Sequence, residues 1–324
     1  MALPAILGAG DPKLVLDVRA GYPSGRTFTR SSQGTWFDAA GVRQTAANDI
    51  PRIDRHPTTH DALGLLMERS VANRLLNSEA PASQTTGSLN PATYCLWVEG
   101  SGSATSSAGT ATGTGFGAAT AGSPNVFTLT GAGTVTVTVT GSLTRFQLEQ
   151  NTTVPTSYIL TTGATVTRQS DFDAASVVPW LSTVAGTFVV EGRTNHNNPT
   201  VNGGPFVVDD GTDNNRSGLR HSAGGNALTM ITVLGGSTTI NQIIGTIVPG
   251  SKFRAGFTYA ASGWTSAMNG AAGASGAQQM SPNLWTTYRL GQVMSSAQQF
   301  GGWVSRLWYF PRALPQAELN AWTR

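Results

Sequence analysis

The chain has 324 residues, enough for two or three domains with cores of their own, and its 20 basic and 17 acidic side chains leave a net charge of +3. That charge is too small to mark a nucleic-acid partner, and the basic residues are scattered and almost all Arg, with Lys only at Lys13 and Lys252. Charged residues make up 11%, and 39 Gly with abundant Thr, Ser, Ala and Val point to an all-β protein with tight turns; eight Trp and twelve Phe exclude a disordered chain.

In chain order, residues 1–13 are small, apolar and punctuated by Pro and Gly, which reads as an extended tail of the kind that docks on a partner. No basic residue precedes its short apolar patch, so it does not read as a secretory signal, and synthesis in the cytosol is expected. No apolar run approaches the length of a membrane helix, so no membrane insertion is expected. Leu14 to Val18 is a strand, followed by short strands at Thr27–Arg30 and Thr35–Asp38. Ala39 to Val42 forms the turn of a hairpin that leads into Arg43. Residues 63–80 are ambiguous: Leu65, Leu66, Val71, Leu75 and Leu76 partly satisfy helical spacing, and the composition favours helix.

From Thr93 to Gln150 the pattern is β. Tyr94 to Glu99 is a strand that carries the single cysteine, Cys95, which has no intrachain partner and reads as a small core residue. Residues 100–124 are a Gly/Ala/Ser/Thr tract, read either as short strands with small-residue turns or as disorder. Thr134 to Thr140 alternates Val with Thr, one face apolar and the other hydroxyl, as in a small antiparallel sandwich of jelly-roll type. Arg145 to Asp171 then acts as a joint: a last strand through Glu149, a crossing stiffened by Pro155, and the entry to a second β body. That body contains strands at 186–192, 206–209, 217–220, 228–234, 239–248, 253–259, 287–290 and 303–310. Met268-Asn269-Gly270 marks a hairpin turn, and residues 314–322 a short closing helix with Pro315 in its first turn. The expected division is an N-terminal attachment segment (1–80), a small β-sandwich with the joint (81–171), and a larger β-sandwich (172–324).

Three passages resemble one group of proteins: FDAAGVRQTAANDIPRID (37–54) with LGLLMERSVANRLLNSE (63–79), the joint itself (145–171), and a C-terminal set comprising DGTDNNR (210–216), MNGAA (268–272), YRLGQ (288–292) and VSRLWYFPRALPQAELNAW (304–322). They resemble tail-fibre, head-spike and related virion appendage proteins of tailed phages and gene transfer agents, and the C-terminal body resembles their concanavalin-A-like (laminin-G-like) lectin domain. The resemblance favours a strand and an extended segment, not a helix, over residues 63–80. It implies a homo-oligomer, with a trimer the common form, on the virion surface. Such a protein is made in the host cytoplasm, attached to other virion proteins through its N-terminal region, and in contact with host surface polysaccharide.

Within the lectin-like body, the polar loop Asn195-His196-Asn197 leaves a strand with amides suited to sugar hydroxyls. Trp264 and Trp285 flank turns, where an indole either packs into the core, the commoner outcome, or offers a stacking platform. Asp209, Asp210 and Asp213 cluster in DDGTDNN as the weak calcium candidate; it lacks the spacing and terminal Glu of an EF-hand, so a hairpin turn is the expectation, with no metal or other cofactor. The glutamates are scattered with no paired-carboxylate motif, so no enzyme is expected. A purely structural capsid or tail decoration protein is the rival expectation.

Overall fold

A computed structural model describes residues 12–293 and 298–324. The expectation for the N-terminal tail falls almost entirely on residues outside these. Among the described residues the protein is all-β, built from antiparallel ladders with one short α-helix, Gln316–Trp322. Among the described residues no helix is long and apolar enough to cross a membrane.

The large body is a sandwich of two sheets. One has eight strands, in the order Ala271–Gly276, Trp264–Met268, Lys252–Tyr259, Gly186–Thr194, Gly302–Phe310, Ala62–Met67 and Ile53–Arg55, with Leu14–Asp17 also on Gly302–Phe310. The facing sheet has seven: Thr27–Thr29, Phe172–Ser176, Thr287–Leu290, Gly203–Asp209, Arg216–His221, Ala227–Leu234 and Ser237–Thr246. Phe188, Val190, Phe257 and Leu307 from the first meet Phe206, Val208, Met230 and Leu290 from the second in one buried cluster. Each such side chain contributes roughly 1.5–3 kcal/mol on burial. The strand Gly186–Thr194 is buried along almost its whole length because both its faces are covered. Val189 turns away from the sandwich interior to join Trp308, Phe310, Leu319 and Trp322 beneath the helix. The hairpin at Asn269-Gly270 forms as the sequence indicates: both residues take positive φ, 50° and 84°, the left-handed pair that a two-residue turn requires.

Several strands of this sandwich come from the first 80 residues. Leu14–Asp17 pairs with residues 306–309, Leu65–Met67 with 302–304, and Thr27–Thr29 with 172–174. The boundary expected at residue 80 is therefore spanned by hydrogen-bonded ladders. An open sheet edge gains from being paired, and the pairing partners lie hundreds of residues downstream, beyond the reach of local periodicity.

Residues 63–80 are not helical. Ala62–Met67 and Val71–Asn73 are strands, and no helix follows up to residue 80. Leu65 and Met67 enter the sandwich core, so tertiary pairing overrides the helical composition. Residues 100–124 are largely strand: Ala92–Ala108 runs deep into the tract, followed by Thr112–Thr114 and Ala118–Thr120.

The middle unit is one eight-stranded sheet folded across itself. Its spine is the ladder between Ala92–Ala108 and Val135–Gln150, which bends where the register shifts between Leu143 and Arg145. At Gly102 (φ 134°) a Cβ would lie 2.1 Å from the Thr140 carbonyl oxygen, so only glycine permits this approach. The bend brings Ala104, Val135 and Val137 onto Leu96, Phe127, Phe146 and Leu148. Outward, cross-strand hydroxyl pairs such as Ser103–Thr140 (2.9 Å) cover the surface. Val166–Arg168 still pairs with the middle sheet and Phe172–Ser176 already with the sandwich, so the chain changes bodies over 169–171.

Candidate functional site

Two of the expected contact residues are in the wrong place to touch a ligand. Trp264 and Trp285 are each only 3% exposed and belong to the sandwich core. Trp285 sits edge-on to Tyr259 at 5.2 Å, so neither indole is a stacking platform. The reason is packing: the turns beside them carry the backbone to the surface while the rings fill the space between the sheets.

In the DDGTDNN loop the carboxylates are engaged by protein donors. Asp209 is buried and accepts from Arg289 Nε (2.7 Å) and the Gly211 amide (2.8 Å). Asp210 accepts from the Thr212 amide (2.8 Å) and the Asn215 side chain (2.7 Å), and Asp213 pairs with Arg216. These bonds close a turn, and among the described residues no three metal-binding side chains gather.

Asn195 and His196 do reach a cavity. A cleft of about 360 Å³ opens where three parts of the chain meet. The hairpin Gly34–Phe37/Arg43–Ala46 supplies Trp36, Phe37 and Arg43, the middle unit supplies Trp97, Glu99 and Tyr158, and the sandwich supplies Asn195, His196 and Trp303. Asn197 is exposed beside it, its carbonyl receiving the Thr153 hydroxyl at 3.4 Å and its side chain receiving Asn226 at 2.8 Å.

The polar groups of the cleft are held in place. Asp54 accepts from the Phe37 amide (2.7 Å) and from Trp303 Nε1 (2.8 Å), yet burial still pushes its pKa up. Glu99 is partly desolvated, but Arg43 (3.0 Å) and Arg145 (3.2 Å) outweigh this and hold it below the usual carboxylate range. The Arg43 guanidinium lies over the Phe37 and Tyr158 rings at 5.0 and 5.2 Å, which leaves Trp36 and Trp303 as the half-buried indoles facing the opening. His196 is half-buried, and burial together with the nearby Arg69 charge lowers its pKa to about 4. Its neutral ring offers one donor and one acceptor, the complement a sugar hydroxyl needs.

Behind the cleft lies a buried charge network. Arg52 bridges Glu68 (2.7 Å) and Asp171 (2.6 Å); Asp171 also binds Arg30 (3.1 Å), and Glu68 lies 3.2 Å from Arg168. Ser157 donates to Glu68 at 2.6 Å, and the Glu68 amide donates to Asp171 at 2.7 Å. Burial would raise the pKa of Glu68, but Arg168, Arg52 and Ser157 overcome it and hold the carboxyl at about 2. Residues of the 37–54, 63–79 and 145–171 passages thus converge on one seam. Sequence reasoning missed Trp36, Arg43, Asp54 and Trp303; the available signal was an aromatic pair, Trp36-Phe37, on a short polar hairpin. Cys95 is buried, and burial pushes its thiol up, in keeping with a core residue.

No protein-family model matches the sequence, and no curated protein does. Among solved structures, the chain is similar to the CBM40 of the Ruminococcus gnavus IT-sialidase bound to alpha2,6 sialyllactose, at 16% identity and a TM-score of 0.38, over 44% of this chain and 85% of that one. It is also similar to domain 4 of AbnA, a GH43 extracellular arabinanase from Geobacillus stearothermophilus, in complex with arabinotriose, at 12% identity and a TM-score of 0.40, over 53% and 82%. At such TM-scores neither likeness bears on ligand or activity; the sandwich assignment rests on the ladders themselves.

Proposed function

We propose that the protein is a non-enzymatic virion appendage, a tail fibre, head fibre or spike, that binds bacterial surface polysaccharide through the junction cleft. The observation that carries the binding reading is the cleft itself: two half-buried indoles, Trp36 and Trp303, stand with Asn195 and the neutral His196 around one opening. Ring faces for a pyranose and amide or imidazole groups for its hydroxyls are the two components of a sugar site. The virion role is supported by the resemblance of the three sequence passages, and an appendage would act as a homo-oligomer on the particle surface. The non-enzymatic reading is supported by the state of the cleft carboxylates. Asp54, Glu68 and Glu99, the carboxylates lining the cleft, are each engaged by donors of the protein.

One observation favours the rival reading of a decoration protein without glycan binding. The loop 195–202 is tethered to the middle unit, with Thr200 donating to the Asn151 carbonyl at 3.2 Å. An array of bacterial surface polysaccharides, probed with the purified chain, separates the two. The proposal expects saturable binding to a subset of polysaccharides. Uniform absence of binding, with infectivity unchanged in particles whose cleft is mutated, would leave the decoration reading.

A further inference from the structure

A second groove, of about 770 Å³, runs along the other side of the loop 195–202. Its walls are mostly neutral and polar, with Gln150, Gln169 and Thr200, and Phe172 contributes an aromatic ring. Arg69 lies in it and is half-buried. Its bonds go to neutral acceptors, the Asn151 carbonyl and the Thr200 hydroxyl (3.3 Å). The buried arginines of the seam, Arg30, Arg52 and Arg168, each hold a carboxylate. Arg69 forms no ion pair among the described residues. Asp49, which also lines the groove, accepts the Arg30 amide at 2.8 Å. The more distant Glu149 favours the Arg69 charge, while Arg168 and burial disfavour it.

A guanidinium offers five donors in a planar fork that matches a carboxylate, and a partly desolvated one without a counter-ion gains most from receiving one. The groove and the cleft flank the loop 195–202, separated by a void of only about 10 Å³. That void is lined by Arg69 and Val201, shared with the groove, and by His196 and Gly301, shared with the cleft. The geometry points to a subsite at Arg69 for a sugar carboxylate of an acidic polysaccharide, on the side of the loop 195–202 away from the cleft. This inference rests on the glycan-binding reading and narrows it to uronate- or other carboxylate-bearing polymers.

The test uses the full chain and a panel of acidic bacterial polysaccharides, each before and after carbodiimide-mediated reduction of its carboxylates to alcohols. Wild type is expected to bind at least one native acidic polymer and to lose about ten- to a hundred-fold in affinity on carboxyl reduction, the usual cost of losing a charged hydrogen bond. Arg69→Gln is expected to lose a similar factor toward the native polymer and none toward the reduced one. Thr200→Ala, which removes a tether of Arg69 but keeps the cation, is expected to keep the preference for the native polymer. Equal binding of native and reduced polymers, or an equal loss in Arg69→Gln toward both, overturns the subsite and leaves the glycan reading standing. Binding of no polymer by wild type overturns both.

Discussion

Between the two sandwich sheets, Phe188 packs against Phe206 at 4.8 Å, Tyr309 at 4.9 Å and Phe257 at 5.5 Å, and the interior is filled by shape. At the seam with the middle unit, an equally buried interior is filled by charge: Arg30, Arg52, Arg168, Glu68 and Asp171 are each no more than 5% exposed or fully buried. The sandwich core tolerates changes of size at graded cost. A buried charge network is costly to assemble, since each ion gives up water, and costly to break, because removing one partner strands the other away from water. The seam is where the most specific sequence passages converge, so those passages encode the way the two units are joined. The cleft that faces outward is built upon that joint.

The largest effect should come from the seam. Asp171→Ala leaves both Arg30 and Arg52 without their shared partner and should cost about 3–5 kcal/mol, read by urea unfolding. In the sandwich, Trp285→Ala should cost a comparable 3–5 kcal/mol by cavity formation. Any change in sugar binding should then follow from unfolding alone, because the ring is sealed from solvent. If Asp171→Ala melts like wild type, the contrast between the two interiors collapses.

Acid should act in two steps, one at the cleft and one at the seam. His196 titrates at about 4 in the folded protein against 6.5 ordinarily. From pH 6.5 down to about 4 the unfolded chain therefore takes up a proton that the folded chain refuses, and stability falls; above 6.5 the group contributes nothing. Glu68 titrates at about 2 against 4.5, so its contribution is complete above pH 4.5 and lost as pH falls toward 2. That second step is worth about 3 kcal/mol. Melting curves from pH 8 to 2 should show both windows, and His196→Gln should shrink the upper one, leaving the part that the buried His221 contributes, without touching the lower. A single window, unaffected by that substitution, would place His196 in a wetter site than the geometry gives it.

A smaller effect is expected at the hairpin tip of the sandwich. Gly270 holds φ 84°, and a Cβ there would come within 2.7 Å of the flexible Arg324 side chain. Gly270→Ala should cost about 1 kcal/mol, mostly backbone strain. The site lies away from the seam, so the cost should add to that of Asp171→Ala within a few tenths of a kcal/mol.

Much of the fold was legible because strands with one dry face announce themselves. Val135-Thr136-Val137 alternates, Met268-Asn269-Gly270 turns, and Leu319 with Trp322 marks the covering helix. What was not legible depends on partners far along the chain. Leu14–Asp17 and Leu65–Met67 complete a sheet with residues 302–309, and residues 63–80 carry helical composition that such pairing overrules. The site was half legible. A polar loop after a strand suggested Asn195 and His196, which line the cleft, whereas Trp264 and Trp285 beside their turns are buried, since a ring beside a turn can still point inward. Trp36, Asp54 and Trp303 meet only through the tertiary fold. The arginines of the seam were visible merely as scattered positive charge.

The central claim is that the junction cleft contacts polysaccharide, and Trp36 tests it most directly because its half-buried ring lines the opening. The measurement is the affinity of Trp36→Ala, against wild type, for whichever polysaccharide the array selects, with melting temperature recorded alongside. The account expects a loss of about tenfold or more at a nearly unchanged melting temperature, in line with the loss of one aromatic contact in a sugar site. Equal affinity in the two proteins would contradict it.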